Sequence, residues 1–327
     1  MTPPPLSSRD RVLALLCCHA DNWLSGEKIS TELQLSRAAI WKQINSLRAL
    51  GLTIEARHAK GYRLLEIPDL LFNSDVTSGL DCRIVARSLE ILQVIDSTNL
   101  QLKAQAEAGA PEGAVLVADQ QLAGKGRLGR QWASPAGVNL YCSILLRPQI
   151  PVQQAPQLTF LSAVAVVDVL ETVGKVKAEV KWPNDILVGG AKIAGLLNEM
   201  SAETEQINYV VLGIGINLNM TVDQFPSELN YPATSVLLET GQVVERRVFL
   251  RALLERLDFY YVEFLEQGFA SIRQRWEQLC PIINRRVAVD AGPVGTVVGL
   301  EADGALRLQF DAGRIERIVA GDVRLVN

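Results

Sequence analysis

Residues Gly124 to Trp132 read GKGRLGRQW: three glycines, three cations and an aromatic in nine positions. Glycine lets the backbone reach φ > 0 and approach a ligand closely, while Lys125, Arg127 and Arg130 bring positive charge. A segment with so little to bury and so many donors is a mobile, anion-seeking loop, with a plain solvated basic turn as the alternative. Gly124, Gly126 and Gly129 also satisfy the spacing G-x-G-x-x-G of a dinucleotide-binding turn, which needs a strand before it and a helix opening at the glycines. The apolar run Ala114–Ala118 supplies a strand. Pro135 and Gly137 break any helix that follows, however, and three cations are out of place on such a turn, so the doubly wound fold is set aside.

The chain has 327 residues, 48% of them hydrophobic, which allows two or three globular domains. No apolar run reaches the length of a membrane span, and the proline-rich start Met1–Pro5 does not have the pattern of a signal peptide. Five cysteines without paired spacing point to a reducing compartment, and a cytoplasmic protein is expected. The adjacent Cys17-Cys18 cannot form a metal knuckle, and His19 and His58 are the two histidines, which makes a zinc site improbable.

Charge divides the chain. Residues 1–66 carry nine Lys+Arg against six Asp+Glu, whereas the whole chain has a net charge of −4. A basic front on an acidic body implies different partners for the two.

In the basic front, Ser8 to His19 is expected to be a helix with Val12, Leu15 and Leu16 at helical spacing. Ser25 caps a second helix with Ile29 and Leu33 inward. Ser36 caps a third, in which Ile40, Trp41, Ile44 and Leu47 recur at three- and four-residue steps and Gly51 ends the run. An alternating hairpin follows, Leu52–Ala56 and Gly61–Leu64 around a turn at Arg57–Lys60. Helices joined by a tight turn and followed by a basic hairpin make a winged helix-turn-helix, residues 1–66. Ser36, Arg37, Ala38, Ala39 and Lys42 lie at the end of the third helix that would enter a DNA groove, where arginine pairs with guanine and small methyl-bearing side chains touch thymine. Arg57, His58, Lys60 and Arg63 on the hairpin suit phosphates. A helical docking module with merely solvated charges is the alternative.

Ile67-Pro68-Asp69 marks a linker. The central stretch, residues 67–275, alternates strands (Ile91–Ile95, Ala114–Ala118, Leu140–Leu146, Ile186–Val188, Tyr209–Ile214) with helices at Leu100–Ala108 and Leu158–Thr172. It reads as an α+β domain with helices on one side of its sheet. Asp96-Ser97-Thr98-Asn99, at a strand-to-helix junction, can cap the helix or bind a ligand, and capping is the expectation. Lys192 sits in the apolar run Ala191–Leu197, where a lysine must snorkel outward or meet a buried anion. Beyond residue 276, Arg286–Asp290, Gly295–Leu300, Leu306–Phe310 and Glu316–Val319 are short strands. They are separated by turns such as Ala291-Gly292-Pro293 and Asp303-Gly304, which makes a small β-barrel over 276–327.

Five stretches together carry a resemblance: Asp96–Asn99, GKGRLGRQW, KWPND at Lys181–Asp185, Lys192-Ile193-Ala194-Gly195, and GIGIN at Gly213–Asn217. With Ser36–Ile40 and Gly61-Tyr62 at the front, they resemble the family of bifunctional biotin–protein ligases and biotin-operon repressors, from near residue 8 to the C-terminus. That family's basic loop is commonly richer in arginine, and here Lys125 and Leu128 occupy two such places.

The resemblance implies a multidomain α+β protein: a winged helix-turn-helix, a mixed-sheet catalytic domain of the class II synthetase/biotin–lipoate ligase type, and an SH3-like barrel. It implies that biotin and Mg2+-ATP form biotinyl-5′-AMP, from which biotin passes to a lysine of the biotin carboxyl carrier protein. It implies further that the adenylate-bound homodimer represses transcription at operator DNA. Lys192, Arg127 and Lys181 would be catalytic. Ser97, Thr98, Asn99, Gln120, Lys125, Gly126, Arg127, Trp132, Lys192 and Gly195 would hold biotin and the adenylate. Lys181, Asn184, Asp185 and Asn217 would serve ATP, with Asp185 at the magnesium ion. The rival readings are a ligand-sensing regulator without turnover and a lipoate–protein ligase. The full cationic set argues against the first, and KWPND beside GKGRLGR against the second.

Overall fold

The computed structural model describes residues 7–19, 22–49, 51–66, 69, 71, 73–77, 79–229, 231–290, 292, 294–311 and 313–326. The chain divides into two compact units, Met1–Leu80 and Asp81–Asn327.

The first unit holds three helices, α1 (Ser8–Cys18), α2 (Gly26–Leu33) and α3 (Arg37–Ala49), a hairpin β1 (Thr53–Arg57) and β2 (Gly61–Glu66), and a short α4 (Asn73–Thr77). Both expected caps form: Ser25 Oγ accepts from Lys28 N at 3.1 Å and Ser36 Oγ from Ala39 N at 3.2 Å. Val12, Leu13 and Leu16 pack on Ile29, Ile40, Ile44, Leu47, Ile54 and Leu64. Two expectations are corrected. Leu13 takes the fully buried place and Leu15 is only partly buried. Trp41 is 61% exposed, because each residue turns a helix by about 100° and the stripe Ile40–Ile44–Leu47 leaves its neighbour outside. The linker expected at Ile67-Pro68 lies outside the described residues.

In the second unit a seven-stranded sheet comprises β3 (Ser88–Ile95), β4 (Ala114–Gln121), β5 (Leu140–Leu146), β6 (Glu179–Lys181), β7 (Asp185–Val188), β8 (Ala191–Glu203) and β9 (Gln206–Ile216). Their order is β3-β4-β5-β9-β8-β7-β6; β3 and β4 run parallel, and every other neighbouring pair is antiparallel. Helices α5 (Thr98–Glu107) and α6 (Gln157–Thr172) pack on it, with α7 (Val236–Thr240), α8 (Arg246–Gln267) and α9 (Ala270–Leu279) following.

The expectation of helices on one side fails. Glu199 of β8 meets Asn99 and Lys103 of α5, while the adjacent Asn198, facing the other way, donates to Ala155 O just before α6. Strand β9 is accordingly buried over nearly its whole length, as a strand covered on both faces must be. The stretch Val152–Thr172 is also long and apolar enough for a membrane span, contrary to the sequence reading. Most of it is buried, as the core of this layer.

The C-terminal sheet, β10 (Arg286–Val289), β11 (Val294–Leu300), β12 (Leu306–Gln309), β13 (Ile315–Ile318) and β14 (Val323–Leu325), is antiparallel in the order β13-β12-β11-β10-β14. The loop holding Asp303-Gly304 joins β11 to β12 as expected. At the Ala291-Gly292-Pro293 turn, Ala291 and Pro293 lie outside the described residues. Trp182 Nε1 donates to Gly304 O at 3.2 Å, tying the KWPND stretch to this sheet.

Candidate active site

A cavity of about 960 Å³ opens beside β8 and β9. Its floor is glycine. Gly195 of β8 and Gly215 of β9 are cross-strand partners, and the Trp132 indole lies against both. A Cβ on Gly215 would come 2.7 Å from that ring, and one on Gly213 only 2.1 Å from Asn99 Oδ1. These strands are flat so that an aromatic and an amide can sit on them, which explains the spacing in GIGIN. Among the described residues, the Trp132 Nε1 donor is buried without a hydrogen-bond partner.

Cations ring this floor, and the deeper ones are parked. Lys192 Nζ lies 2.6 Å from Asp185 Oδ1 and 5.3 Å from the Trp132 ring centroid. Lys181 Nζ lies 3.1 Å from Asp322 Oδ1 and 3.7 Å from the Tyr231 ring centroid. Arg127 Nη1 donates to Asn184 Oδ1 at 2.9 Å. Backbone geometry places the two lysines: Lys192 N donates to Pro232 O and Thr234 N to Lys192 O, so the segment bearing Tyr231 is bonded to the start of β8. Tyr231 OH in turn donates to Asp322. Burial pushes the Asp322 carboxyl up, but the Tyr231 hydroxyl and the Lys181 ammonium outweigh it, and the group titrates below its ordinary value.

At the other end, Ser143 Oγ lies 2.8 Å from Thr98 Oγ1 and donates to Asn99 Oδ1 at 2.6 Å, and Gln121 Oε1 accepts from Thr98 N at 2.9 Å. Gln121 Nε2 donates to Ser134 Oγ at 3.0 Å. One wall thus carries hydrogen-bonding groups for a neutral polar ring, and the other carries cations for anions.

Family models match this architecture in three places: an HTH domain at residues 9–63, the Biotin/lipoate A/B protein ligase family at 91–217, and the Biotin protein ligase C terminal domain at 282–326. Over 97% of its length the chain is 38% identical to the bifunctional ligase/repressor BirA of Bacillus subtilis, covering 98% of that protein. It is 34% identical to the Escherichia coli protein of the same name over 92% of each. The chain belongs to the bifunctional ligase/repressor family. A solved biotin protein ligase from Aquifex aeolicus, in complex with biotin and ATP, superposes with a TM-score of 0.63 at 31% identity, over 73% of this chain and 99% of that one.

The cavity gathers nearly all the residues that the sequence singled out. Ser97, Thr98, Asn99, Lys125, Gly126, Arg127, Trp132, Lys181, Asn184, Asp185, Lys192, Gly195 and Asn217 all line it. Gln120 does not; Gln121 does. Successive strand side chains point to opposite sides, so of two adjacent glutamines one faces the pocket, and the doublet by itself does not say which. Ser97 is a second correction. It occupies the N-cap position of α5, yet its side chain makes no capping bond, and the residue lines the cavity. Tyr231, Asp290 and Asp322 were missed. They lie far along the chain and carry no glycine or cation pattern that would single them out.

The first unit presents a separate polar surface. Ser36, Arg37, Ala38 and Lys42 are exposed at the start of α3, with Ala39 half-buried beside them. On the hairpin, Arg57, Lys60 and Arg63 surround the Trp23 ring at 5.3, 5.9 and 5.1 Å from its centroid. Arg57 and Arg63 share one acid, Glu55, at 2.8 and 2.7 Å.

Proposed function

We propose that the chain is an ATP-dependent biotin–protein ligase that makes biotinyl-5′-AMP and transfers biotin to a lysine of the biotin carboxyl carrier protein. The observation that carries this is the pairing of Lys192 with Asp185 above the glycine floor. A cation already held by an acid in a partly buried site needs only to exchange its partner when two anions arrive.

Biotin's carboxylate oxygen attacks the α-phosphorus of ATP, and the bond to the β-phosphate oxygen breaks to release pyrophosphate. Lys192 bridges the carboxylate and the phosphoryl oxygens, whose charge grows as the bond forms. Lys181 leaves Asp322 for the polyphosphate, and Asn184 and Asn217 serve the nucleotide. Arg127 and Lys125, with Gly126 allowing close backbone approach, clamp the adenylate. Ser97, Thr98, Asn99 and Gln121 hold the ureido ring, with Trp132 and Gly195 along the apolar part. In the second half-reaction the carrier's lysine amine attacks the acyl carbon, and AMP leaves with the bonding electrons. No acyl-enzyme forms, so no nucleophilic serine or cysteine is required.

Among the described residues no three His, Cys, Asp or Glu side chains form a metal cluster, and Asp185 is engaged by Lys192. That donor set suits magnesium delivered on the phosphates of ATP, with Asp185 as one added ligand once Lys192 turns to substrate. The ion supplies neutralisation of phosphate charge when bound.

The helix-turn-helix supports a second activity of the same chain, repression at operator DNA. A winged helix with a small positive excess binds phosphates weakly alone, and a two-fold dimer reads a palindrome. The adenylate drives dimerisation only by binding the dimer-competent state better, and carrier docking competes for the same surface. The five free cysteines fit the reducing cytoplasm as the place of action.

Pyrophosphate release measured with biotin and then with lipoate tests the ligase. Release with biotin alone supports the reading, lipoate-dependent release transfers the chain to the lipoate ligases, and no release with either leaves a ligand-sensing regulator. Sedimentation and operator binding of apo, biotin-bound and adenylate-bound protein test repression, which falls if the adenylate changes neither.

A further inference from the structure

Side chains two residues apart on a strand share a face, so Gly195, Leu197 and Glu199 form a row along β8. Gly195 and Leu197 line the cavity, and Glu199 stands just beyond it. From α5 above, Asn99 and Lys103, one helical turn apart, both reach that carboxylate. Asn99 Nδ2 donates to Glu199 Oε2 at 2.9 Å and Lys103 Nζ to Glu199 Oε1 at 3.2 Å. The amide of Asn99 donates also to Leu197 O at 3.2 Å, so both of its protons are used inside the protein. Its Oδ1, against Gly213, accepts one bond, from Ser143 Oγ at 2.6 Å.

An asparagine amide fits its site in two orientations related by a flip, and its neighbours decide between them. An ionised carboxylate only accepts. Glu199, together with the Leu197 carbonyl, therefore holds the NH2 end of Asn99 and leaves Oδ1, against the cavity-lining Gly213, as its polar atom open to a ligand, with one lone pair unspent. Lys103 offsets the carboxylate's charge, which would otherwise stand behind a pocket built for an anion.

We propose that Glu199 is a positioning residue that makes the pocket demand a ligand N–H: by fixing the Asn99 amide it presents an acceptor that a ureido ring satisfies and a dithiolane ring cannot. This rests on the biotin reading and deepens it, since it makes ring selectivity a property of a residue outside the cavity. A pocket acceptor left unpaired by the wrong ligand costs a desolvated hydrogen bond, the strongest form of discrimination a small site has.

The test uses the full chain and biotin-dependent pyrophosphate release, with biotin and with biotin methylated on its ureido nitrogens as probes. Glu199→Leu is expected to raise the KM for biotin about tenfold and to shrink the preference for biotin over the methylated analogue, with kcat and the KM for ATP within about twofold. Glu199→Gln, whose amide can accept from Asn99 or flip and donate, is expected to fall between, at about threefold. It decides alone should the leucine variant not fold. Wild-type KM and wild-type preference in the variants overturn the role of Glu199. A wild-type chain without biotin-dependent release overturns the ligase reading itself, a different result in a different sample.

Discussion

The cations of the wing and those of the cavity are the same residue types under opposite arrangements. On the wing, Arg57, Lys60 and Arg63 crowd around Trp23, and the two arginines divide a single carboxylate, Glu55, between them. The surplus charge faces water and is available to any polyanion that passes. In the cavity, Lys192 has Asp185, Lys181 has Asp322 and Arg127 has Asn184, one partner each. A surface cation gains little from its partner and loses little without it, whereas a half-buried one depends on it for position. The wing is thus in permanent readiness for phosphate. In the cavity the two lysines stay paired with acids until a substrate takes their place, while Arg127 rests on a neutral amide.

Breaking the cavity side should have the largest effects. Lys192→Met removes the cation closest to the developing charge and should cost about 3 kcal/mol of barrier, about a hundredfold in adenylate formation. Thermal unfolding and the DNA binding of the ligand-free protein should stay near wild type. Near-normal biotin-dependent pyrophosphate release in this variant would remove Lys192 from the mechanism.

Next in size is the loop. Arg127→Gly leaves Asn184 without its donor and adds a fourth glycine to a segment that must order around ligand. The loss of a charge-assisted contact should speed adenylate escape about tenfold while synthesis changes less. Biotin appearing on an unrelated lysine-rich protein in the same mixture measures the escape; no rise over wild type counts against a clamp.

How well the sequence foretold each region follows the same division. Helix caps and the apolar stripes of α1–α3 are local rules, so Ser25 and Ser36 were legible without coordinates, whereas GIGIN stood out only as a motif and its role as the floor under Trp132 and Asn99 emerged from the fold. Trp41 misled because a bulky aromatic beside a core stripe looks like part of it. The cation set was legible because charge in an apolar or glycine-rich run is conspicuous, as at Lys192. Of the acids that park those cations, Asp185 stood out in KWPND but Asp322 did not: it directly precedes a strand of a separate sheet, 141 positions after the Lys181 it holds, and only the fold brings the pair together. Gln120 and Gln121 show the finest limit, since choosing between them requires knowing which way one strand faces.

The wing offers a contrast of opposite sign. Glu55→Gln deletes the acid shared by Arg57 and Arg63, so nonspecific DNA affinity should rise, by about threefold at low salt given the modest worth of exposed pairs. The same kind of change at Asp185 should instead slow adenylate formation, because Lys192 loses its anchor. Fluorescence anisotropy with a random duplex reads the first and pyrophosphate release the second. If both variants moved in the same direction, the distinction between the two sets of cations would not hold.

The smallest effect expected is a stability difference at Asp322. Its carboxyl titrates below the ordinary value of 3.8, because the Tyr231 hydroxyl and Lys181 overcome the opposing effect of burial. A carboxylate depressed in the folded state stabilises the protein above its unfolded value, and the contribution disappears as pH falls through the folded value. Asp322→Asn keeps an acceptor for Tyr231 and loses the charge, and the pair is partly open to solvent. At neutral pH the variant should therefore be less stable by only about 0.5 kcal/mol, roughly a twofold change in the folding equilibrium. Denaturant titrations of the two proteins should run apart by this constant amount from neutral pH down to the ordinary carboxylate range. They should converge below it, where the wild-type group also becomes neutral. A gap that persisted unchanged into strong acid would mean that Asp322 acts through packing, and that the pairing with Lys181 contributes nothing to holding the cation in place.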